Sequence, residues 1–367
     1  MIAQKKLLSL AYYLPQFHEI EENNRWWGKG FTEWQQLREA KQYYPWQAIR
    51  KPIAPFGEYS LLNPAVMEWQ NQTAKKYGID SFLVFDYWFG KGKTLLEKPM
   101  QMVLDQQLNF DYCLCWANHT WYNKRENITL QEQQYLGAQD YAEYFNRLLP
   151  HFRSSHYLKI ENQPVFAIFN PNEVPDLSVF TQTFQQLAQQ TGFAGIYFIA
   201  DNTDASSSHA NLLNGYTRTN YFFKKRNRDN IVSYLKEKLT RKFGWNQLGP
   251  FCYSYRNLVV DQYQDFNDSK FIPSVFTGWD TTPRHLKRGT ILTDFTVQNF
   301  KLHLEKIAQT LIKNRAQKNQ TQLVIIKSWN EWAEGNLLEP DSVFGEQLLE
   351  SYRTFTLTLL ENPQDLT

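Results

Sequence analysis

LVIIKSWNEWAEGNLLEPD occupies residues 323–341 of this 367-residue chain. Its first four residues are aliphatic, and such uninterrupted runs are typical of strands buried on both faces of a parallel sheet. The following residues are rich in Trp and carboxylates, and Gly335 and Pro340 indicate turns. Polar chemistry is therefore concentrated just past the carboxyl end of a buried strand, where open α/β sheets and (β/α)8 barrels place their active sites.

The rest of the chain alternates apolar strand patterns with helical patterns. Strands are predicted at 7–17, 81–86, 112–116, 164–169, 195–199, within 216–223, at 274–277 and at 323–327. Helices are predicted from Asn63 to Gly78, at 176–190 and at 297–311. This alternation, without a Ser/Gly/Pro-rich linker, predicts an α/β fold with a single (β/α)8 TIM-type barrel over residues 1–367. A doubly wound open sheet is the alternative.

Composition and motif searches exclude several classes of partner. The formal net charge is +2, which does not indicate general nucleic-acid binding. We find no dinucleotide fingerprint after the first strand and no P-loop. The N-terminal residues do not resemble a signal peptide, and no apolar run reaches the roughly 18 residues of a membrane span. We therefore expect a cytoplasmic chain, at most bound to the inner face of the membrane, with no cofactor, metal or nucleic-acid partner.

Aromatic residues make up 16% of the chain and include 12 Trp. Core packing explains part of this content, because Phe, Tyr and Trp fill large barrels well. The Trp residues, however, cluster in turn-like polar segments, where flat rings can stack on the C–H faces of sugars. The sequence therefore favours a carbohydrate ligand.

If the strands form a barrel, the residues after their carboxyl ends meet around one pocket. Glycosyl chemistry requires a carboxylic acid to protonate the leaving oxygen and a second group to stabilise or attack the anomeric carbon. The predicted catalytic residues are Glu331, Glu334, Asp86 and His119. The predicted substrate-binding residues are Tyr13, Gln16, His18, Trp27, Trp88, Trp116, Asn118, Trp121, Trp279, Asp280, Arg284, Trp329, Asn330 and Trp332.

Six segments along the chain also resemble a known family. They are YYLPQFH at 12–18, ENNRWWGKGFTEW at 22–34, WAN at 116–118, GWDTTPR at 278–284, SWNEWAEG at 328–335 and EPD at 339–341. These segments are similar to the WbsX-like family, which has a glycoside hydrolase family 99-like domain and occurs in bacterial surface-polysaccharide gene clusters. The resemblance implies a (β/α)8 barrel and a glycosyltransferase role in building capsule, exopolysaccharide or O-antigen. True members of the hydrolase family cleave α-mannosides with retention, through a 1,2-anhydro sugar and two carboxyl groups.

The chain departs from the family pattern at two strand ends. The third strand of the family is usually followed by Trp-Ala-Asn-Glu, whereas this chain has His119 at the last position. Asp86 also stands where an aromatic or other residue is usual. The acid/base role therefore falls to Asp86, Glu331 or Glu334, or has been lost in this copy.

We assign roles on this basis. Glu331 and Glu334 are expected to line the sugar-binding centre, one of them with a raised pKa as the acid/base. Asp86 is expected to oppose them and His119 to hydrogen-bond a sugar hydroxyl. Asp280 and Arg284 would hold a hydroxyl or an anionic group, and the Trp residues would supply stacking faces.

The predicted function is a glycosyltransferase that uses a sugar donor and an oligosaccharide or lipid-linked glycan acceptor. One alternative is a retaining family 99-like hydrolase that acts on an α-linked glycan. The other is a non-catalytic glycan-binding member of the assembly machinery.

A basic segment spans residues 218–242. It contains nine Lys or Arg and two acidic residues, a local excess of +7. Its residues Ile231, Tyr234, Leu235 and Leu239 keep helical spacing, which predicts a basic amphipathic helix. This helix either packs its apolar face on the core, or faces an anionic membrane surface or the diphosphate of a lipid-linked or nucleotide-linked sugar.

Overall fold

The fold is built on a parallel sheet of eight strands. The computed structural model describes residues 7–123, 126, 128–245, 247–263, 268–315 and 321–361. The strands are β1 Leu7–Tyr13, β2 Ser81–Trp88, β3 Tyr112–Trp116, β4 Gln163–Ile168, β5 Tyr197–Ala200, β6 Gly215–Tyr216, β7 Ser274–Phe276 and β8 Gln322–Lys327. All eight predicted strands are present, although β1 and β6 are shorter than the sequence patterns predicted.

Consecutive strands are neighbours from β1 to β6 and from β7 to β8, and β8 lies beside β1. The order is β6-β5-β4-β3-β2-β1-β8-β7, and every pairing along it is parallel. A parallel bridge between Tyr216 of β6 and Phe271, just before β7, links the two edges of this curled sheet. The α/β class and the barrel order of the strands are thus confirmed, whereas a fully closed barrel stays a prediction.

Seven longer helices accompany the sheet. They are α1 Pro64–Lys76, α2 Lys98–Asp105, α3 Ala138–Arg153, α4 Leu177–Gln190, α5 Ile231–Phe243, α6 Val297–Arg315 and α7 Gln347–Glu361. The start of α1 follows directly from its sequence, because the Asn63 side chain accepts a hydrogen bond from the Ala65 N–H and Pro64 takes the first helical position. None of the helices in the described ranges is long and apolar enough to cross a membrane.

The strands carry two apolar layers because successive side chains point to opposite faces of a sheet. On β1, Tyr12 stacks on Phe85 of β2, with ring centroids 5.1 Å apart. Its neighbour Tyr13 donates a hydrogen bond to Gln70 of α1, at 2.7 Å, on the other face. Tyr12 therefore lies inside the curled sheet and Tyr13 lies between the sheet and its helices.

The segments after β6 and β7 form a small second layer at the carboxyl edge of the sheet. The strand Phe251–Ser254 pairs in parallel with the strand Thr290–Thr293. Helix α5 lies against the first of these strands, since Asn230, just before α5, donates a hydrogen bond to the Cys252 carbonyl oxygen at 3.2 Å. A separate apolar cluster, which includes Phe222, Tyr253 and Phe276, holds this layer on the main sheet.

Candidate active site

A short hairpin after β8 carries the two candidate glutamates. Asn330–Glu331 pairs in antiparallel fashion with Asn336–Leu337, and a 3-10 turn at Trp332–Glu334 joins them. Gly335 completes the turn with a φ of 57°, and a Cβ there would lie 2.9 Å from the Asp280 backbone nitrogen. Glycine is required because this conformation is left-handed and the neighbouring backbone is too close for a side chain.

Lys327, the last residue of β8, forms a buried ion pair with Glu331. Its Nζ lies 3.2 Å from Glu331 Oε1, and the two side chains are 6% and 7% exposed. The ammonium group also lies 5.5 Å from the Tyr12 ring centroid and 5.8 Å from that of Phe85. Burial alone would lower the pKa of Lys327, but the surrounding carboxylates raise it above its ordinary value. Lys327 is therefore a permanent cation beside Glu331.

Arg284 joins Glu334 to a carboxylate that the sequence analysis did not select. Its Nη1 donates to Glu334 Oε1 at 2.5 Å, and its Nη2 donates to Glu33 Oε2 at 3.0 Å. The Arg284 and Glu334 side chains are 26% and 15% exposed, so solvent or a ligand can reach this pair. Both predicted glutamates thus lie in ion pairs at the carboxyl edge of the sheet.

His119 lies within electrostatic range of Glu331, and its ring centroid is 5.9 Å from that of Phe169. Burial lowers the pKa of the imidazole, while the Glu331 carboxylate opposes this shift. The Nδ1 atom is buried and has no hydrogen-bond partner in the described part of the chain. A neutral imidazole can donate and accept one hydrogen bond each, which fits the predicted contact with a sugar hydroxyl.

Three aromatic rings extend the candidate site, those of Tyr87, Trp121 and Trp26. Gln16 donates a hydrogen bond to the Tyr87 hydroxyl at 3.0 Å. The Tyr87 ring meets Trp121 edge-on at 5.1 Å, and Trp121 meets Trp26 at 5.8 Å. Trp121 is partly exposed, so its ring can contact a ligand, and stacking of a sugar on it stays a prediction.

Asp201, directly after β5, is a further carboxyl group at this edge. It accepts hydrogen bonds from the Thr219 hydroxyl at 2.7 Å and the Tyr12 hydroxyl at 3.1 Å. Burial raises the pKa of its carboxyl group. The Tyr12 ring lies between this carboxyl and Lys327, which links Asp201 to the Glu331 pair.

A polar cavity of about 320 Å³ opens next to Asp201. Arg218 forms an ion pair with Asp204 at 2.9 Å within it, and Thr203 contributes a buried hydroxyl oxygen without a partner among the described residues. The lining consists of Asn172, Asn202, Thr203, Asp204, Ser206, Ser207, Arg218, Asn220, Tyr221 and Lys224. Amide, hydroxyl and guanidinium groups of this kind suit a ligand with several hydroxyls.

Three predicted site residues face the helices instead. Asp86 accepts two hydrogen bonds from Arg147, both at 2.9 Å, and one from the Tyr144 hydroxyl at 2.7 Å. Trp88 donates to Asp140 at 2.9 Å, and Trp116 stacks on Phe180 of α4 at 4.9 Å. The strand-end predictions ignored side-chain alternation: Phe85 and Tyr87 point inward, so Asp86 and Trp88 point outward. Their predicted roles in catalysis and sugar binding are corrected to helix–sheet packing.

Four other predicted residues hold loops or the core together. Asn118 exchanges hydrogen bonds with the Asn170 backbone at 2.8 Å, and Asn330 does the same with Leu14 at 2.7 and 3.1 Å. Tyr13 contacts Gln70, as described above. Trp329 is fully buried and meets Phe82 edge-on at 5.2 Å. These contacts place all four away from a ligand surface.

The remaining predicted residues are dispersed. His18 is 2% exposed, and burial, together with the Lys98 charge, lowers its pKa to about 4. Trp27 is exposed and contacts Phe31. Trp279, Asp280 and Trp332 line a second cavity of about 210 Å³ behind the hairpin. The structure therefore brings together Glu331, Glu334, Arg284, His119, Gln16 and Trp121 from the predicted set.

Glu339, in the EPD segment, is a buried carboxyl behind this site. Its oxygens accept hydrogen bonds from Tyr59 and Gln70, both at 2.8 Å, and from Trp332 at 3.1 Å. Burial raises the pKa of Glu339 to about 7, although these donors oppose the shift. Glu339 therefore ties the hairpin to α1, and its carboxyl group binds a proton more readily in the folded than in the unfolded chain.

The pH dependence of stability should report this proton. The unfolded chain releases it near the ordinary pKa of 4.5 and the folded chain near 7, so the contribution of Glu339 is full below about 4.5 and is lost as pH rises to 7. Relative to Glu339→Gln, the wild-type unfolding free energy should fall by roughly 3 kcal/mol across this window. Urea unfolding from pH 4.5 to 8 measures the difference. Parallel curves for the two proteins would contradict the assignment.

Most of the chain matches a known protein family. Residues 9–352 match the model of the family described as glycosyltransferase WbsX. The chain belongs to the WbsX family. A curated relative, the uncharacterized protein WxcX of Xanthomonas campestris pv. campestris strain B100, is 30% identical over 350 residues, or 94% of this chain and 49% of the relative. The chain thus spans about half the length of the curated relatives it matches.

The fold is similar to that of glycoside hydrolase family 99. An endo-α-mannosidase of this family from Bacteroides thetaiotaomicron superposes with a TM-score of 0.56 at 12% identity, over 96% of this chain and 97% of the other. A structure described as a glycoside hydrolase-like protein gives a TM-score of 0.57 at 12% identity, over 97% and 95% of the two chains. At this level of identity, these likenesses show a shared fold.

Four residues of the candidate site were not predicted, although the sequence contains an indication of each. Lys327 is a charged residue at the end of a buried strand, where a charge requires a partner. Asp201 follows the apolar β5 in the same way. Tyr87 lies two residues after the inward Phe85, and Glu33 belongs to the 22–34 segment that carries the family resemblance.

Proposed function

We propose that this chain is a glycosyltransferase of bacterial surface-polysaccharide assembly. The observation that carries the proposal is the pair of ion-paired glutamates, Glu331 with Lys327 and Glu334 with Arg284, at the carboxyl edge of the sheet. The WbsX family assignment supports transfer as the reaction.

In such a transfer, the bond between the anomeric carbon and the donor oxygen breaks, and the leaving group keeps the electron pair. The acceptor hydroxyl forms the new bond to the anomeric carbon, and its proton passes to a carboxylate. Glu334 suits proton transfer because it is partly exposed beside Arg284. The more buried Glu331 suits stabilisation of positive charge at the anomeric carbon or contact with a neighbouring sugar hydroxyl.

The surrounding groups fit the two substrates. Arg284 offers positive charge to an anionic leaving group, and His119 offers a neutral hydrogen-bonding ring. The polar cavity beside Asp201 has room and hydrogen-bonding groups for a further sugar residue. Trp121 supplies a partly exposed ring for stacking.

Hydrolysis is the second candidate, and the likeness to the family 99 fold favours it. Water would then take the place of the acceptor hydroxyl, with the same two carboxyl groups at the reacting centre. The two reactions differ in whether a second sugar must be present and in whether the product is longer or shorter than the starting glycan.

A panel of activated sugar donors and oligosaccharides, followed by mass spectrometry, tests the proposal. We expect a mass increase of one sugar unit on an acceptor, dependent on both donor and acceptor. Shortened oligosaccharide without donor consumption would identify a hydrolase. Saturable glycan binding with neither reaction would assign the chain to glycan binding alone.

A further inference from the structure

Helix α5 buries two polar residues and leaves most of its apolar residues exposed. Among its residues, Glu237 and Thr240 are buried, at 3% and 1% exposure. A surface helix normally shows the opposite arrangement, with its apolar stripe on the core. The prediction that the apolar face of this helix packs on the core is therefore wrong, and its outer face requires another explanation.

The inner face is held by polar contacts. Glu237 accepts a hydrogen bond from the Tyr253 hydroxyl at 2.8 Å and forms ion pairs with Arg226, at 2.9 Å, and with Arg241. The Thr240 hydroxyl donates to the Trp245 carbonyl oxygen at 2.9 Å. These contacts fix the rotation of the helix, because turning the apolar side inward would bury unpaired polar groups.

The outer face, here called the α5 face, is a continuous apolar strip. It consists of Ile231, Val232, Leu235, Leu239 and Phe243 with the adjacent Trp245, each between 38% and 57% exposed. At 100° per residue, the five helical positions span an arc of about 120°. Phe243 stacks on Trp245 with ring centroids 5.2 Å apart, so the strip ends in a flat aromatic pair.

Lysines surround this strip. Lys236 and Lys238 border the apolar arc on its two sides, and Lys242 lies within it. All three are exposed, and none of them forms an ion pair with another residue that the structure describes. Arg226 and Arg241, in contrast, both form ion pairs with Glu237. The α5 face therefore combines exposed aliphatic and aromatic groups with three uncompensated positive charges.

We propose that the α5 face docks on the surface of a lipid bilayer that contains anionic phospholipids. An apolar arc bordered by Lys is the pattern of helices that lie in the plane of the membrane interface. The Lys stems can cover apolar surface while their ammonium groups contact anionic headgroups. Trp245 adds a ring of the type enriched at membrane–water interfaces. Charge complementarity thus selects a bilayer over a purely apolar partner.

The position of the α5 face relates it to the candidate site without depending on the proposed reaction. Helix α5 packs on Phe251–Ser254, which pairs with Thr290–Thr293, shortly after Arg284. Docking would therefore hold this two-stranded layer close to the lipid surface. Binding to vesicles needs no substrate, so it can be measured whether or not glycosyl transfer occurs.

Vesicle sedimentation of the full chain tests the docking. Three preparations are compared: phosphatidylcholine alone, phosphatidylcholine with phosphatidylglycerol, and the latter at high salt. We expect binding to the anionic vesicles at low salt, weaker binding at high salt, and at least tenfold weaker binding to the neutral vesicles. Equal partitioning to neutral and anionic vesicles, or no binding to either, would overturn the proposal.

Two variants separate the charges from the apolar strip. Replacing Lys236, Lys238 and Lys242 with Gln should lower the partition coefficient for anionic vesicles about a hundredfold, since each basic residue contributes roughly fivefold at a membrane surface. The matched control replaces three exposed lysines elsewhere, Lys29, Lys301 and Lys306, and should retain most of the binding. Equal losses in the two variants would contradict a specific α5 face.

Replacing Leu235 and Leu239 with Ser should also abolish sedimentation with anionic vesicles. The matched control replaces Leu62 and Val179, which are exposed on other surfaces, and should bind like the wild type. Light scattering measures the oligomeric state of each protein. If the Leu235 and Leu239 changes convert a dimer to a monomer and leave vesicle binding unchanged, the α5 face is an interface between two copies and the proposal fails.

Discussion

Glu331→Gln is expected to lower kcat for the proposed transfer at least about a hundredfold, with a much smaller change in KM. The substitution keeps the shape of the side chain and removes the negative charge that faces Lys327. A neutral amide cannot stabilise an oxocarbenium-like centre or take a proton from a sugar hydroxyl. Steady-state kinetics on the substrate pair identified by the panel measures the effect.

The Glu331 experiment needs a control for folding, because Lys327 is 6% exposed and would lose its partner. The double variant Lys327→Met with Glu331→Gln removes both charges and should regain unfolding free energy without regaining turnover. Glu58→Gln, at an exposed ion pair with Arg38, should leave both quantities unchanged. Normal kcat in folded Glu331→Gln would reassign this residue to a structural role in the hairpin.

Much of the fold was predictable because its signals are local. Each strand of the sheet is a short apolar run, and Asn63-Pro64 gives the start of α1 directly. The lengths of β1 and β6 were less predictable. The residues after Tyr13 and Tyr216 leave the sheet as soon as neighbouring strands no longer pair with them, which depends on contacts distant in sequence.

Only part of the site was predictable, because the side chains that follow a strand end do not all point toward the same pocket. Glu331, Glu334 and Arg284 were found from the motifs, but the partners that orient them were not. Glu33 lies more than 200 positions from Arg284, and their ion pair exists only in the folded chain. Lys327 was assigned to a strand, and its need for a buried partner of opposite charge was not considered.

Helix α5 shows a different limit. Its apolar periodicity correctly predicted a helix, but periodicity does not state which side faces the protein. Which side of α5 faces the protein depends on Glu237. This residue contacts Arg226 and Tyr253, which both lie outside the helix. The sequence contained one indication of this orientation, since Glu237 is an acidic residue within a basic segment.

Asp86→Ala is expected to destabilise the protein by about 3 kcal/mol and to leave the kcat of the folded enzyme nearly unchanged. Removing this carboxylate leaves Arg147, 24% exposed, without its two charge-assisted hydrogen bonds. Burial alone would raise the pKa of Asp86, but Arg147 and Tyr144 hold it below its ordinary value, which shows that the folded state favours the ionised pair. Urea unfolding at pH 7 measures the loss.

A double-mutant cycle separates this ion pair from other effects of truncation. Asp86→Ala and Arg147→Ala are compared singly and together, and we expect a coupling free energy of about 2 kcal/mol because the two side chains stabilise each other directly. The double variant should retain turnover, since neither residue contacts the Glu331 or Glu334 ion pairs. A large fall in kcat at unchanged unfolding free energy would return Asp86 to the reacting centre, and it would then be the second strand-end carboxyl that the sequence originally predicted.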